Sequence, residues 1–232
     1  MNISIINEGA IKLKEAEITI QELKNALDST NYKLTKIKNS PTGINIFNVI
    51  DFRALSGMIG ELFAKELSEQ VKKVTKNPYL NGYPDLLEIS TSELLDYFKN
   101  CETKDFVRYK HGGIEVKNSF GTKKNKSQLL NGDQRIESIN KKIDWKAHHR
   151  ETNFLIGLLS DYIDYVPQIV ALFYSDELIE DDWNKVQKPK GDSAMTSFSS
   201  ISNSGYKKMI NGVRLCYNNP TYLSYINIVQ CQ

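Results

Sequence analysis

Residues 51–74 constrain the chain more than any other stretch. Leu55, Met58, Ile59, Leu62, Phe63, Leu67, Val71 and Val74 recur there at helical spacing and make one apolar stripe. A helix marked on one side must bury that side against a second layer. Short apolar runs that can supply the layer follow: "DLLEIS" (85–90), "DFVRYKHGGIEVKNS" (105–119) and "PQIVALFYS" (167–175). All three read as strands, the second with a Gly-Gly interruption at 112–113. "TSELLDYFKN" (91–100) reads as a short capped helix and "HHRETNFLIGLLSDYI" (148–163) as a longer one. Upstream, residues 11–29 carry near-helical apolar spacing, and "NSPTG" (39–43) marks a turn. The order helix, strands, helix, strand predicts an α/β fold layered around a central sheet.

Composition excludes several classes. The apolar runs are too short to span a bilayer, and the N-terminus lacks the pattern of a signal peptide. Three scattered cysteines, Cys101, Cys216 and Cys231, fit neither a disulfide framework nor a structural zinc site, so an intracellular location is expected. Net charge is only +2, yet residues 101–150 hold twelve Lys/Arg against six Asp/Glu. Such a cationic band suits a polyanion, because each neutralised phosphate releases counterions.

The loop "NPYLNGYPD" (77–85) delivers Asp85 at the head of a strand, directly after Pro84. Thirty residues on, Glu115 and Lys117 stand two apart on another strand and project from one face, with Val116 on the other. If the two strands are neighbours, two carboxylates and an ammonium converge. Paired carboxylates suit Mg²⁺, a hard cation that keeps several waters and activates one for attack on phosphorus. A lysine beside them can orient that water and offset developing charge.

"YPD" at 83–85 and "EVK" at 115–117 resemble the two halves of the PD-(D/E)XK nuclease motif, in the style of type II restriction endonucleases. The resemblance implies an αβββαβ core over about residues 51–175, with a central mixed sheet flanked by helices. Residues 1–50 would then form an N-terminal helical region and 176–232 a C-terminal recognition or dimerisation region, within a single domain. It further implies Mg²⁺-dependent, sequence-specific hydrolysis of double-stranded DNA to 5′-phosphate and 3′-hydroxyl ends, by a homodimer in a prokaryotic cytoplasm. Asp85 and Glu115 would bind the metal, Lys117 would position the attacking water, and Glu61 in the first core helix would assist the metal site. A structure-specific repair or junction-resolving nuclease, and a non-catalytic DNA-binding protein, are the competing readings.

DNA contacts are expected from Lys123, Lys124 and Lys126 in "GTKKNK", and from Lys146, His148 and Arg150 in "KAHHRE". The Ser- and Lys-rich stretch 187–208 adds Lys188, Lys190, Ser199, Ser200, Lys207 and Lys208 as a recognition loop. The acidic run "SDELIEDDWN" (175–184) reads as a solvated helix start. Tyr206, Tyr217, Tyr222 and Tyr225 are expected to pack a small C-terminal core.

Overall fold

Elements follow in chain order: β1 (Ile3–Ile5), β2 (Ile11–Lys12), β3 (Glu17–Ile18), α1 (Ile20–Lys38), α2 (Phe52–Gln70), β4 (Val74–Lys76), β5 (Leu86–Glu88) and α3 (Ser92–Asn100). Then come β6 (Gly113–Phe120), β7 (Lys146–Ala147), β8 (Leu155–Ile163), β9 (Val166–Ser175), β10 (Ser199–Ser200), α4 (Asn203–Asn211), β11 (Val213–Tyr217) and α5 (Pro220–Gln230). This computed structural model describes residues 1–38, 43–121, 132, 134–136, 143–147, 153–187 and 197–230, the last four by backbone only.

Seven strands form one sheet in the order β1-β11-β9-β8-β6-β5-β4. Every neighbouring pair is antiparallel except β6 and β8, which run parallel, so the sheet is mixed. Alternate residues divide the core in two. Ile156 and Leu158 of β8 pack with Leu27 of α1 and with Leu55, Ile59 and Phe63 of α2. Leu155 and Leu159 pack on the other face with Met209 and Ile210 of α4 and Tyr222 of α5. The protein is thus a mixed α/β fold with a central sheet flanked by helices, and among the described residues no helix is long and apolar enough to cross a membrane.

The stripe of 51–74 faces the core as expected, with Met58 and Leu62 partly buried and the other six buried, but the helix stops at Gln70 and Val74 opens β4. Asp51 caps α2 by accepting the N–H groups of Arg53 and Ala54. The helix expected over 11–29 begins only at Ile20. Thr19 and Glu22 form a reciprocal capping box there, and Ile11–Ile18 make a small hairpin instead. That hairpin is pinned from a distance, since the buried Glu88 carboxylate accepts the Glu15 and Lys14 N–H groups at 2.7 and 3.3 Å.

The largest correction concerns 148–163. Its described part holds β8, a strand between β6 and β9 covered on both faces. A continuous apolar run buried on both sides has no periodicity that separates strand from helix. Between β6 and β8 the only element among the described residues is β7. The sheet also recruits β1 and β11 from outside residues 51–175. Most of the turn expected at 39–43 lies outside the described residues.

Candidate active site

Two short runs of sequence bring the candidate acids together. β5 pairs with β6 in the register Leu86↔Ile114 and Leu87↔Gly113, which sets Asp85 across from Glu115. The strands approach so closely at Gly113 (φ +150°) that a β-carbon there would collide with the Leu86 carbonyl. Beyond Ile114, among the described residues, that edge of β6 has no partner strand, and side chains take over. The Asp85 carboxylate accepts the Val116 N–H at 2.8 Å, and the Asp85 N–H donates to Glu115 Oε2 at 3.2 Å. The Lys117 ammonium lies 3.3 Å from Asp85 Oδ2 and pairs with Glu115 Oε1.

Burial decides the electrostatics. Glu115 is 5 % exposed, and its loss of solvent pushes the carboxyl up to about 8, with the Asp85 charge adding to the rise and Lys117 opposing it. Burial works against the charge of Lys117, but the Glu115 and Asp85 carboxylates outweigh it and hold the ammonium above its ordinary value. With no cation bound, the folded protein therefore holds a proton on Glu115 that the unfolded chain releases near the ordinary 4.5. This contribution to stability is complete below that value and is lost as pH rises towards 8. Urea midpoints taken in EDTA from about pH 5 to pH 8.5 are expected to fall more steeply for the parent than for Glu115→Gln. Equal slopes would rule out a buried, protonated Glu115.

Asp85 and Lys117 open onto a cleft of about 830 Å³. One wall is the N-terminal half of α2, with Arg53, Ser56, Gly57, Gly60 and Glu61; the facing wall carries Asp144, Lys146 and Phe198. The second wall is stitched by the ribbon of β7 and β10, in which Ser200 pairs with Lys146 and Ser199 with Ala147. Across the floor, the Ser56 hydroxyl donates to the Asn118 carbonyl at 2.7 Å and ties α2 to β6.

The donor set fits a hard divalent cation. Asp85 Oδ1 accepts no hydrogen bond from the described residues, and two carboxylates with retained waters suffice for Mg²⁺. Among the described residues no cluster of three or more His, Cys, Asp or Glu side chains could hold a metal. Glu61 reaches the cleft but pairs with Lys76 at 2.7 Å.

The expected DNA contacts fall into three groups. Lys146 lines the cleft and Lys207 is exposed. Lys208 is held internally, donating to Asp182 Oδ2 at 2.6 Å and to the Glu177 carbonyl at 2.8 Å, while Ser199 is fully buried and Ser200 partly so. Lys123, Lys124, Lys126, His148, Arg150, Lys188 and Lys190 lie outside the described residues. The acidic run is only partly solvated, because buried Asp182 also accepts from Ser204 and anchors the start of α4. Tyr222 packs in the C-terminal core, with Tyr206, Tyr217 and Tyr225 at its margin.

Arg53 and Phe198 carried no signal in the sequence. Gly57 and Gly60 did, as two glycines inside a helix, each weakening it by about 0.5–1 kcal/mol relative to alanine. Compared with protein-family models, with curated proteins and with solved structures, the chain matches none.

Proposed function

We propose that this protein is a Mg²⁺-dependent endodeoxyribonuclease of the type II restriction class, built on a PD-(D/E)XK core. One observation carries the reading: Asp85 is brought from thirty residues upstream against Glu115 and Lys117, and Asp85 and Lys117 open onto the cleft with Glu115 buried behind them. The order α2, β4, β5, β6, with the three strands antiparallel, supports it as the first half of such a core. Each carboxylate accepts one backbone N–H, but that task does not call for an acid pair with a lysine set between them beside an open cleft.

Asp85 and Glu115 would hold the cation. When bound, Mg²⁺ supplies Lewis-acid polarisation of a phosphoryl oxygen and a water acidic enough to attack phosphorus. Lys117 stays protonated beside both acids, so its ammonium can orient the attacking water and offset charge growing on the phosphate. Lys146, on the facing wall, supplies a cation for the DNA backbone. Cutting both strands at a palindromic site calls for two copies related by a twofold axis, so a homodimer belongs to the reading.

The test is incubation of supercoiled plasmid with the protein and Mg²⁺. Discrete linear fragments with 5′-phosphate ends are expected, and EDTA should abolish them. Cleavage confined to branched or mismatched DNA would replace restriction by structure-specific repair. Tight binding without cleavage in Mg²⁺ or Mn²⁺ would leave only a DNA-binding role.

A further inference from the structure

Among the described residues, nothing requires glycine at positions 57 and 60. Neither has positive φ, and a β-carbon added at either would meet nothing within 4 Å. Gly157 is different: a β-carbon there would come within 2.7 Å of the Trp145 ring. Two glycines inside α2 weaken the helix and relieve no internal crowding, yet both lie in the wall of the cleft that holds Asp85 and Lys117. Space left open there by the described residues is available to a molecule entering the cleft.

The rest of the cleft indicates its chemistry. Arg53, on the same wall, is exposed, and among the described residues its carboxylate partner is Asp51 at 4.0 Å. Opposite, Lys146 stands over the Phe198 ring at 4.6 Å and pairs with Asp144 at 3.3 Å. Both ion pairs are solvent-exposed and weak, so a phosphate can replace the carboxylates. Glu61, the other acid on the α2 wall, is already neutralised by Lys76. Phe198 gives the facing wall an apolar patch suited to a sugar or the edge of a base.

We propose that the strand to be cut lies with its sugar–phosphate backbone against α2 at Gly57 and Gly60, held between Arg53 on that wall and the Lys146–Phe198 pair on the other. This placement rests on the nuclease reading. It makes Arg53, Phe198 and the two glycines substrate-binding positions.

The two kinds of measurement move in opposite directions. The Gly57→Ala/Gly60→Ala double variant is expected to melt higher than the parent, by about 1–4 °C per site, because alanine favours helix and fills only open space. Its plasmid cleavage in Mg²⁺ is expected to fall. The Gly57→Leu/Gly60→Leu variant, folded by circular dichroism, is expected to cut at least about tenfold more slowly, since leucine occupies the substrate's path. A double variant that melts lower than the parent would show that the glycines serve packing and would overturn the placement. So would a folded leucine variant cutting at the parent's rate. With a cutting parent and an inactive Lys117→Ala as controls, that result removes the placement and leaves the nuclease reading standing. A parent that cuts no DNA in Mg²⁺ or Mn²⁺ removes both.

Discussion

Lys117→Ala and Asp85→Ala should each lower Mg²⁺-dependent plasmid cleavage by about 10³-fold or more. Each removes one of three groups that act as a unit. Asp85 has a second task, since its Oδ2 accepts the Val116 N–H at 2.8 Å and fixes the edge of β6. Its loss therefore frees Lys117 as well as removing one of the two carboxylates proposed to hold the cation. Asp85→Asn keeps an oxygen for that N–H and separates the two tasks: it should retain more stability than Asp85→Ala while remaining inactive. Lys117→Ala leaves Glu115 without its cation, so Glu115 should hold its proton to still higher pH. Lys117→Arg keeps the charge but not the compact ammonium, and should remain well below the parent. Initial rates on one plasmid, with circular dichroism as a check on folding, test the set. Parent-like rates in both alanine variants would show that the chemistry lies elsewhere.

Asp161→Ala should destabilise the protein by about 3–5 kcal/mol, the largest stability loss expected from one polar substitution here. The carboxylate is fully buried within β8. Its Oδ1 accepts the N–H groups of Arg135 and Tyr162 at 2.7 and 2.8 Å, and its Oδ2 accepts the Ile136 N–H and the Tyr222 hydroxyl at 3.1 Å each. Burial raises its pKa, and the four hydrogen bonds oppose that rise. Alanine would strand four donors away from water. A fall in melting temperature of about 10 °C is expected, and a change under about 2 °C would refute this account. The same bonds seat Arg135 over the Phe52 ring at 3.9 Å, and Phe52 lines the cleft. Cleavage should therefore fall somewhat in Asp161→Ala even where the variant is folded, though far less than in Lys117→Ala.

Legibility in the sequence followed the scale of each interaction. The α2 stripe, the cap at Thr91, and the strands at β5 and β9 depend on neighbours a few residues away, and periodicity or a cap residue exposes them. β8 was misread as helix because its apolar run is fitted to two sheet neighbours and two core layers that local spacing does not encode. The start of α1 was legible in the Thr19–Glu22 capping box but was masked by apolar residues of the hairpin before it. Among the expected phosphate contacts, Lys208 shows how a charged side chain can be claimed from within: its partner Asp182 lies 26 residues away in an acidic run that reads as solvated.

For the candidate site, sequence alone named the candidate groups and gave one half of their geometry. Glu115 and Lys117 share a face because side chains alternate along any strand. What it could not set was the partner strand. Only the β5–β6 register brings Asp85 beside Glu115, and a slip of one residue would turn its side chain to the other face. The cleft, too, is a product of tertiary structure, its walls drawn from α2 and from a two-stranded ribbon more than eighty residues further along the chain. Chemistry lies in the identity of side chains and can be read from a string of letters. Proximity between distant segments comes from packing whole layers together, and no local pattern encodes it.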